Sequence, residues 1–226
     1  EMVCFPELNL TGYTTQDAIR QWAVPLRKDL LNRLRTLAGS HGVWILAGFA
    51  EKMEKEMVCA SHVVVGPDGL KGVYRKLHVA PPEEGLFSPG DDVPVFEASG
   101  VRFGIQLCYD AHFPELSTRM ALSGAEVILM PHASPRGTPE EKLASWMRHL
   151  PARAYDNSLY VVAWNQTGEN GMGLSFPGLA LALGPSGKVE KQVLTPDETL
   201  MTLTLSGDEL KRVRGNRMHF FLPGRR

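Results

Sequence analysis

The chain has 226 residues, enough to bury a full core in one large domain or two small ones. Its 24 Lys and Arg against 25 Asp and Glu leave a formal charge of −1, which gives no electrostatic footprint for nucleic acid or an anionic membrane surface. The longest apolar runs are far too short to span a bilayer. Three cysteines at long spacings, without a CxxC pair, argue against a disulfide framework or a zinc site and fit a reducing cytoplasm.

Met2 to Phe5 is a short apolar run, a buried strand that stops at Pro6 and leaves Glu7 at its C-terminal end. Thr14 or Thr15 can cap a helix through about Trp22. Pro25 restarts a helix with Leu26, Leu30, Leu34 and Leu37 on one face, ended by Gly39 or Gly42. Residues 43–50 (VWILAGFA) form a buried strand and 51–56 (EKMEKE) a solvated turn. MVCASHVVV and LKGVYRKL flank the turn GPDG at 66–69, which is hairpin chemistry and puts Lys76 near the end of the second strand. The loop at 78–92 is rich in Pro and Gly without a period, and long irregular loops in compact domains are often functional.

Val101, Phe103, Ile105 and Leu107 alternate with Arg102, Gly104 and Gln106, a period of two that predicts a strand delivering Cys108 to its end. Residues 109–112 then turn, and Pro114 fits the first turn of a helix reaching Leu122. AEVILMP is another apolar strand, and strand–helix–strand predicts a βαβ unit in a covered sheet. His132, Ala133 and Ser134 therefore fall on the same side as Cys108. Thr138-Pro139-Glu140-Glu141 is a capping box whose helix kinks near Pro151 and runs to about Asn157.

LYVVAWN at 159–165 is one more buried strand with Asn165 at its end, and GENGMG at 168–173 is a flexible loop. GLALALG and KVEKQVL form a second ribbon about GPSG at 184–187, TLMTLTL at 199–205 alternates as a half-buried strand, and DELKRVR is a short helix. The basic, aromatic tail NRMHFFLPGRR is expected to pack on a partner subunit. Strands alternating with helices, plus two hairpins and no linker, predict a single α/β domain over 1–226 whose two sheets pack face to face between helical layers.

Glu7, Lys76 and Cys108 all lie at strand ends or just beyond, and together they suit acyl transfer. A thiol needs a base or a positive neighbour to become a nucleophile. A partly buried Glu serves as that base when desolvation raises its pKa, and an ammonium with nearby backbone N–H groups stabilises an oxyanion.

FPELNLTGY, YRKLHV followed by FSPGD, and CYDAHFPEL resemble the three signature blocks of the nitrilase superfamily, the carbon–nitrogen hydrolases, and the likeness extends to PSGKV and FLPGRR. The resemblance implies an αββα four-layer sandwich, homodimers or higher homo-oligomers, no metal and no organic cofactor. It implies a catalytic triad of Glu7, Lys76 and Cys108, with the backbone N–H of Tyr109 beside Lys76 at the oxyanion. A second glutamate falls on Glu83, with Glu84 as the adjacent candidate. The substrate implied is a small linear amide or N-carbamoyl compound, cleaved through a Cys108 thioester. The alternatives are nitrile hydrolysis by the same triad and a catalytically silent oligomeric binder.

Two departures from the family pattern stand out. The strand and long helix that usually precede the FPE block are absent from this sequence. Four residues after the cysteine, where several members carry Arg, stands His112, so bidentate guanidinium recognition of a substrate carboxylate is missing there. Glu84, His112, His132, Arg136 and Asn165 are the candidate substrate contacts.

Overall fold

The computed structural model describes residues 1–218 and 220–225. In chain order the first half comprises β1 (Met2–Cys4), α1 (Ala18–Trp22), α2 (Lys28–His41), β2 (Trp44–Lys52), β3 (Val58–Gly66) and β4 (Gly69–Arg75). The second half begins with β5 (Phe96–Ala98), β6 (Val101–Ile105), α3 (Pro114–Leu122), β7 (Val127–His132), α4 (Pro139–Trp146), α5 (Leu150–Asn157) and β8 (Tyr160–Asn165). It closes with β9 (Thr167–Glu169), β10 (Ser175–Pro177), β11 (Ala180–Leu183), β12 (Val189–Val193) and α6 (Gly207–Gly215).

The first sheet has the order β1-β2-β3-β4 and the second β12-β11-β8-β7-β6-β5, while β9 and β10 pair as a separate ribbon. Both large sheets are mixed. β1 runs parallel to β2, and β6, β7 and β8 run parallel to one another as two βαβ crossovers require. The face-to-face αββα sandwich is what the strand and helix pattern leads one to expect.

Alternation along the strands decides which residues fill each layer. Leu34 and Ala38 of α2 pack on Ile45, Ala47, Phe49, Val63 and Val65, forming a cluster on the outer face of the first sheet. Leu46, Ala50, Val64 and Tyr74 point the other way and join Phe103, Ile105 and Leu107 of the second sheet in the main core. Each such large side chain, fully buried, contributes roughly 1.5–3 kcal/mol of transfer free energy. Among the described residues no helix is long and apolar enough to cross a membrane.

Several local expectations change. The helix expected from Thr14 or Thr15 shortens to Ala18–Trp22, because Thr14 Oγ1 accepts the Gln16 N–H and makes a turn of its own. On α2 the buried row follows Leu34 and Ala38, leaving Leu37 51% exposed. Residues 51–56 are not all a solvated turn. Glu51 extends β2 and is 3% exposed, gripped by Arg75 Nε at 2.7 Å, Arg75 Nη2 at 2.8 Å and Ser61 Oγ at 2.6 Å.

The helix interruption falls at Met147–His149, and Pro151 opens α5 within its first turn instead of kinking a continuous helix. GENGMG is partly ordered by the β9–β10 ribbon. Residues 200–205 alternate in burial but form no ladder among the described residues; the Thr202 carbonyl instead accepts from the Lys191 ammonium of the edge strand β12 at 2.7 Å. In the tail, Phe221 packs edge-on against Tyr155 of the same chain; His219 and Arg226 lie outside the described residues.

Candidate active site

Glu7 is driven inward by the packing of its neighbours. β1 ends, and the following backbone crosses β2 at Gly48, where a side chain would collide with the Leu8 N–H. There Asn9 Oδ1 accepts the Gly48 N–H at 2.8 Å and the Gly48 carbonyl accepts the Leu10 N–H at 2.9 Å. Leu8 takes a left-handed conformation (φ 56°), a strained state for a branched residue. Glu7 is thereby held at 1% exposure, with Oε2 accepting the Ala133 N–H at 3.0 Å.

Lys76 follows β4 and is also 1% exposed. Its N–H donates to Ala60 O at 2.9 Å and its carbonyl accepts the Gly90 N–H at 2.8 Å. That closure needs glycine, since a Cβ at residue 90 would sit 2.6 Å from Arg75 O. Nζ donates to Glu7 Oε1 at 3.0 Å and to Glu83 Oε1 and Oε2 at 3.0 and 2.8 Å. Glu83 ends a single 3-10 turn, Pro81–Glu83, and accepts the Ala80 N–H at 3.0 Å and the Tyr13 hydroxyl at 3.1 Å.

Two carboxylates sharing one ammonium carry a net charge of −1 when fully ionised, so one proton is readily retained. Burial pushes Glu7 up to about 7; Lys76 opposes that rise and Glu83 adds to it. Burial alone would depress Lys76, but Glu7 and Glu83 prevail and hold it well above its ordinary value.

Cys108 enters from the second sheet. Gln106 N–H still bonds Leu129 O at 3.0 Å, and the chain then swings Cys108 into a left-handed conformation (φ 46°). A 3-10 turn over Cys108–His112 and α3 follow. The first hydrogen bond of the turn runs from Asp110 N–H to Leu107 O, so the Cys108 and Tyr109 N–H groups precede the ladder and are free to receive an anion. The half-buried thiol lines a cavity of about 300 Å³ together with Glu83. Burial raises its pKa above the ordinary thiol range and Glu7 adds to that, against Lys76 and the Ala133 N–H. The sulfur therefore rests as a thiol.

The residue that fixes this turn is Asp110, which has no exposed surface. Its Oδ2 accepts Tyr74 OH at 2.8 Å and Leu107 N–H at 3.1 Å; its Oδ1 accepts His78 N–H at 2.8 Å and His78 Nδ1–H at 2.9 Å. One carboxylate thus ties the Cys108 turn to the segment carrying Lys76. Arg153 adds Nε to Ala111 O at 3.1 Å and Nη2 to His112 O at 3.2 Å.

Tyr109, His112, His132 and Arg136 line the cavity. His132 is buried, with Nδ1–H donating to Met130 O at 2.8 Å and its ring 4.4 Å from Trp146; burial depresses it to about 3, so it is neutral. His112 stacks on His149 at 4.4 Å, and burial lowers both, His149 to about 4.

Two expected contacts are corrected. Glu84 is exposed and does not line the cavity, because the turn that buries Glu83 points the next side chain outward. Asn165 stands behind the wall: its side-chain amide accepts the Ser134 N–H at 2.8 Å and donates to Ser134 O at 2.9 Å, so it clamps backbone instead of facing the cavity. Asp110, Tyr13, Arg153, Lys142 and His149 escaped the sequence reading; for Asp110 alone a local signal existed, an acid in a turn two residues from the cysteine. Among the described residues no cluster of His, Cys, Asp and Glu is arranged to hold a metal ion.

A sandwich with a buried Glu-Lys-Glu cluster and a cysteine turn at one cavity is the architecture of a hydrolase class, and sequence comparison identifies it. The carbon–nitrogen hydrolase family model matches residues 1–214. The chain belongs to that family and is a hydrolase. It is 34% identical over 228 residues to an (R)-stereoselective amidase of Pseudomonas sp, across 100% of this chain and 80% of that protein. It is 35% identical over 199 residues to a nitrilase of Pyrococcus abyssi, across 84% and 70%. The fold superposes on Saccharomyces cerevisiae Nit3, a member of branch 10 of the nitrilase superfamily, with a TM-score of 0.84 at 23% identity over 97% of this chain and 83% of that one.

Proposed function

We propose that this hydrolase cleaves small linear amides or N-carbamoyl compounds through a thioester on Cys108. Glu7 takes the thiol proton as sulfur attacks the carbonyl carbon, because burial keeps the resting sulfur protonated and favours a concerted transfer. The tetrahedral oxyanion is held by Lys76 Nζ and the Tyr109 N–H. Glu7 then protonates the departing nitrogen, the C–N bond breaks, and ammonia or an amine leaves the thioester behind. Glu7 next removes a proton from water; the hydroxide adds to the thioester, the C–S bond breaks, and the proton returns to sulfur as the acid departs. Glu83 positions Lys76 throughout.

The observation carrying this reading is the buried ammonium shared by Glu7 and Glu83, of which Glu83 lines the same cavity as Cys108. The relatives named amidase and nitrilase support the same class of bond. A panel of amides, ureides and aliphatic nitriles, read by ammonia release and by the mass of an acyl adduct on Cys108, tests it. Amide or ureide turnover with the adduct is expected, and Cys108→Ala should abolish it. Turnover of nitriles alone transfers the reading to nitrile hydrolysis. Iodoacetamide should label Cys108 faster than Cys4 or Cys59, because Glu7 can take the thiol proton as sulfur attacks, and equal sluggishness at all three would favour a silent binder.

A further inference from the structure

The cavity wall carries a positive charge that the proposed chemistry does not use. Lys142, on α4, is half-buried and lines the cavity. Its ammonium donates to Ser134 Oγ at 2.7 Å and to Pro135 O at 2.9 Å, which occupies two of its three N–H groups. No carboxylate lies within ion-pair distance of it among the described residues. Glu83 is the one carboxylate lining the cavity, and Lys76, Tyr13 and the Ala80 N–H already engage it. Arg136 adds a second cation to the same wall.

Ser134 adds a second donor beside the ammonium. A hydroxyl whose lone pair is taken by an ammonium turns its own hydrogen elsewhere, and Ser134 also lines the cavity. Asn165 fixes the Ser134 backbone through two hydrogen bonds, so the hydroxyl is presented from a rigid strand end. An N–H of an ammonium and an O–H side by side match the two oxygens of a carboxylate. Partial burial lowers the Lys142 pKa, and an anion arriving in the cavity would compensate the lost hydration.

We infer that Lys142 and Ser134 form an anion subsite that receives a carboxylate on the substrate, at the end away from the scissile C–N bond. Lys142 is then a specificity-determining residue, and the substrate class narrows to short amides or ureides that bear a carboxylate. This inference rests on the amide-hydrolase reading above and moves recognition of the carboxylate from the position of His112 to Lys142 and Ser134 of the same cavity. A purely structural Lys142, pinning the Ser134–Pro135 backbone, would affect charged and neutral ligands alike.

The two cases separate by calorimetric titration of glutaramate and of glutaramide, its uncharged counterpart of nearly the same shape, into the full chain carrying Cys108→Ala. Glutaramate should bind at least about tenfold tighter, as expected for a charge-assisted hydrogen bond. The advantage should disappear in Cys108→Ala/Lys142→Met and persist in Cys108→Ala/Lys142→Arg. Equal affinities, binding of neither ligand, or an advantage that survives Lys142→Met overturns the subsite. Turnover by the unmodified enzyme judges the other reading separately. Hydrolysis of both amides without preference sinks the subsite alone, and tight binding of glutaramate without hydrolysis sinks the chemistry alone.

Discussion

The first sheet and the second meet at one cavity but contribute opposite kinds of surface. The first supplies Glu7, Lys76 and, through the loop after β4, Glu83, all at most 2% exposed and locked by reciprocal hydrogen bonds. The second supplies Cys108 and Ser134 just beyond strand ends and, through α4, Lys142, all of them partly exposed. Burial is what makes the floor reactive: it lifts Glu7 into the range where it can exchange protons near neutrality. Partial exposure lets the wall read a ligand. In the proposed mechanism the proton-handling groups sit on the sealed side, while the attacking sulfur and the groups that select a ligand sit on the open one.

The strongest way to break that contrast is to unbalance the floor. Lys76→Met leaves two carboxyl groups buried without their cation. Turnover should fall by about 10³ or more with the loss of the oxyanion partner. Stability at pH 8 should fall by roughly 3–5 kcal/mol, as when one member of a buried ion pair is removed. The stability loss should shrink toward pH 6, where the orphaned carboxyl groups take up protons. Urea unfolding at the two pH values, beside ammonia-release kinetics, checks both; an unchanged unfolding midpoint would mean the floor is not sealed.

Asp110 joins the two surfaces, and its removal tests whether they must be held in register. Asp110→Ala strands the Tyr74 hydroxyl and the Leu107 and His78 N–H groups. Each lost acceptor costs ~1–3 kcal/mol without adding fully, which gives roughly 3–5 kcal/mol by urea unfolding. In protein that remains folded, the proposed mechanism expects kcat to fall more than KM rises, because the Cys108 turn is displaced while the wall remains. A change confined to KM would make Asp110 part of ligand binding instead.

The frame of this molecule was readable from periodicity because its strands are covered on both faces and short apolar runs therefore mark them. The gathering of Glu7, Lys76 and Glu83 beside the Cys108 turn was readable from three motif blocks. Asp110, Arg153 and Lys142 were not, because each acts through contacts 32 to 42 residues distant or through a capped helix whose charged face looks like ordinary solvated surface. Residues 199–205 mislead for a related reason: their alternation predicts a strand, yet no ladder joins them to a sheet among the described residues, and a side chain of β12, Lys191, takes the Thr202 carbonyl instead. Glu51, an acid in a charged run, became a buried anchor because Arg75 waits across the sheet.

Acidity gives a finer probe of the floor. Because the Glu7 pKa is raised, its basic form is lost as pH falls through about 7, whereas a solvated glutamate would keep it to about 4.5. kcat/KM for a neutral amide should therefore drop about tenfold per pH unit below the mid-point. Glu83→Gln removes a negative neighbour and should move that limb to lower pH in whatever turnover survives. A limb that stays put would mean Glu83 does not act on Glu7 electrostatically.

Glu83 and its neighbour Glu84 bring the comparison down to one peptide bond. They are the same residue type in the same loop, yet the 3-10 turn sends one side chain to Lys76 and the other to solvent. An exposed carboxylate away from any partner is worth little, so Glu84→Ala should change stability by less than about 0.5 kcal/mol. Glu83→Ala removes the acceptor of Lys76, Tyr13 and Ala80 together and should fall in the range of buried-network losses, about 3 kcal/mol or more. Thermal unfolding of the two variants side by side, with ammonia release under saturating amide, measures the asymmetry. Were the pair to behave alike, the turn would be presenting both residues or neither, and the floor would extend to the loop surface instead of closing beneath it.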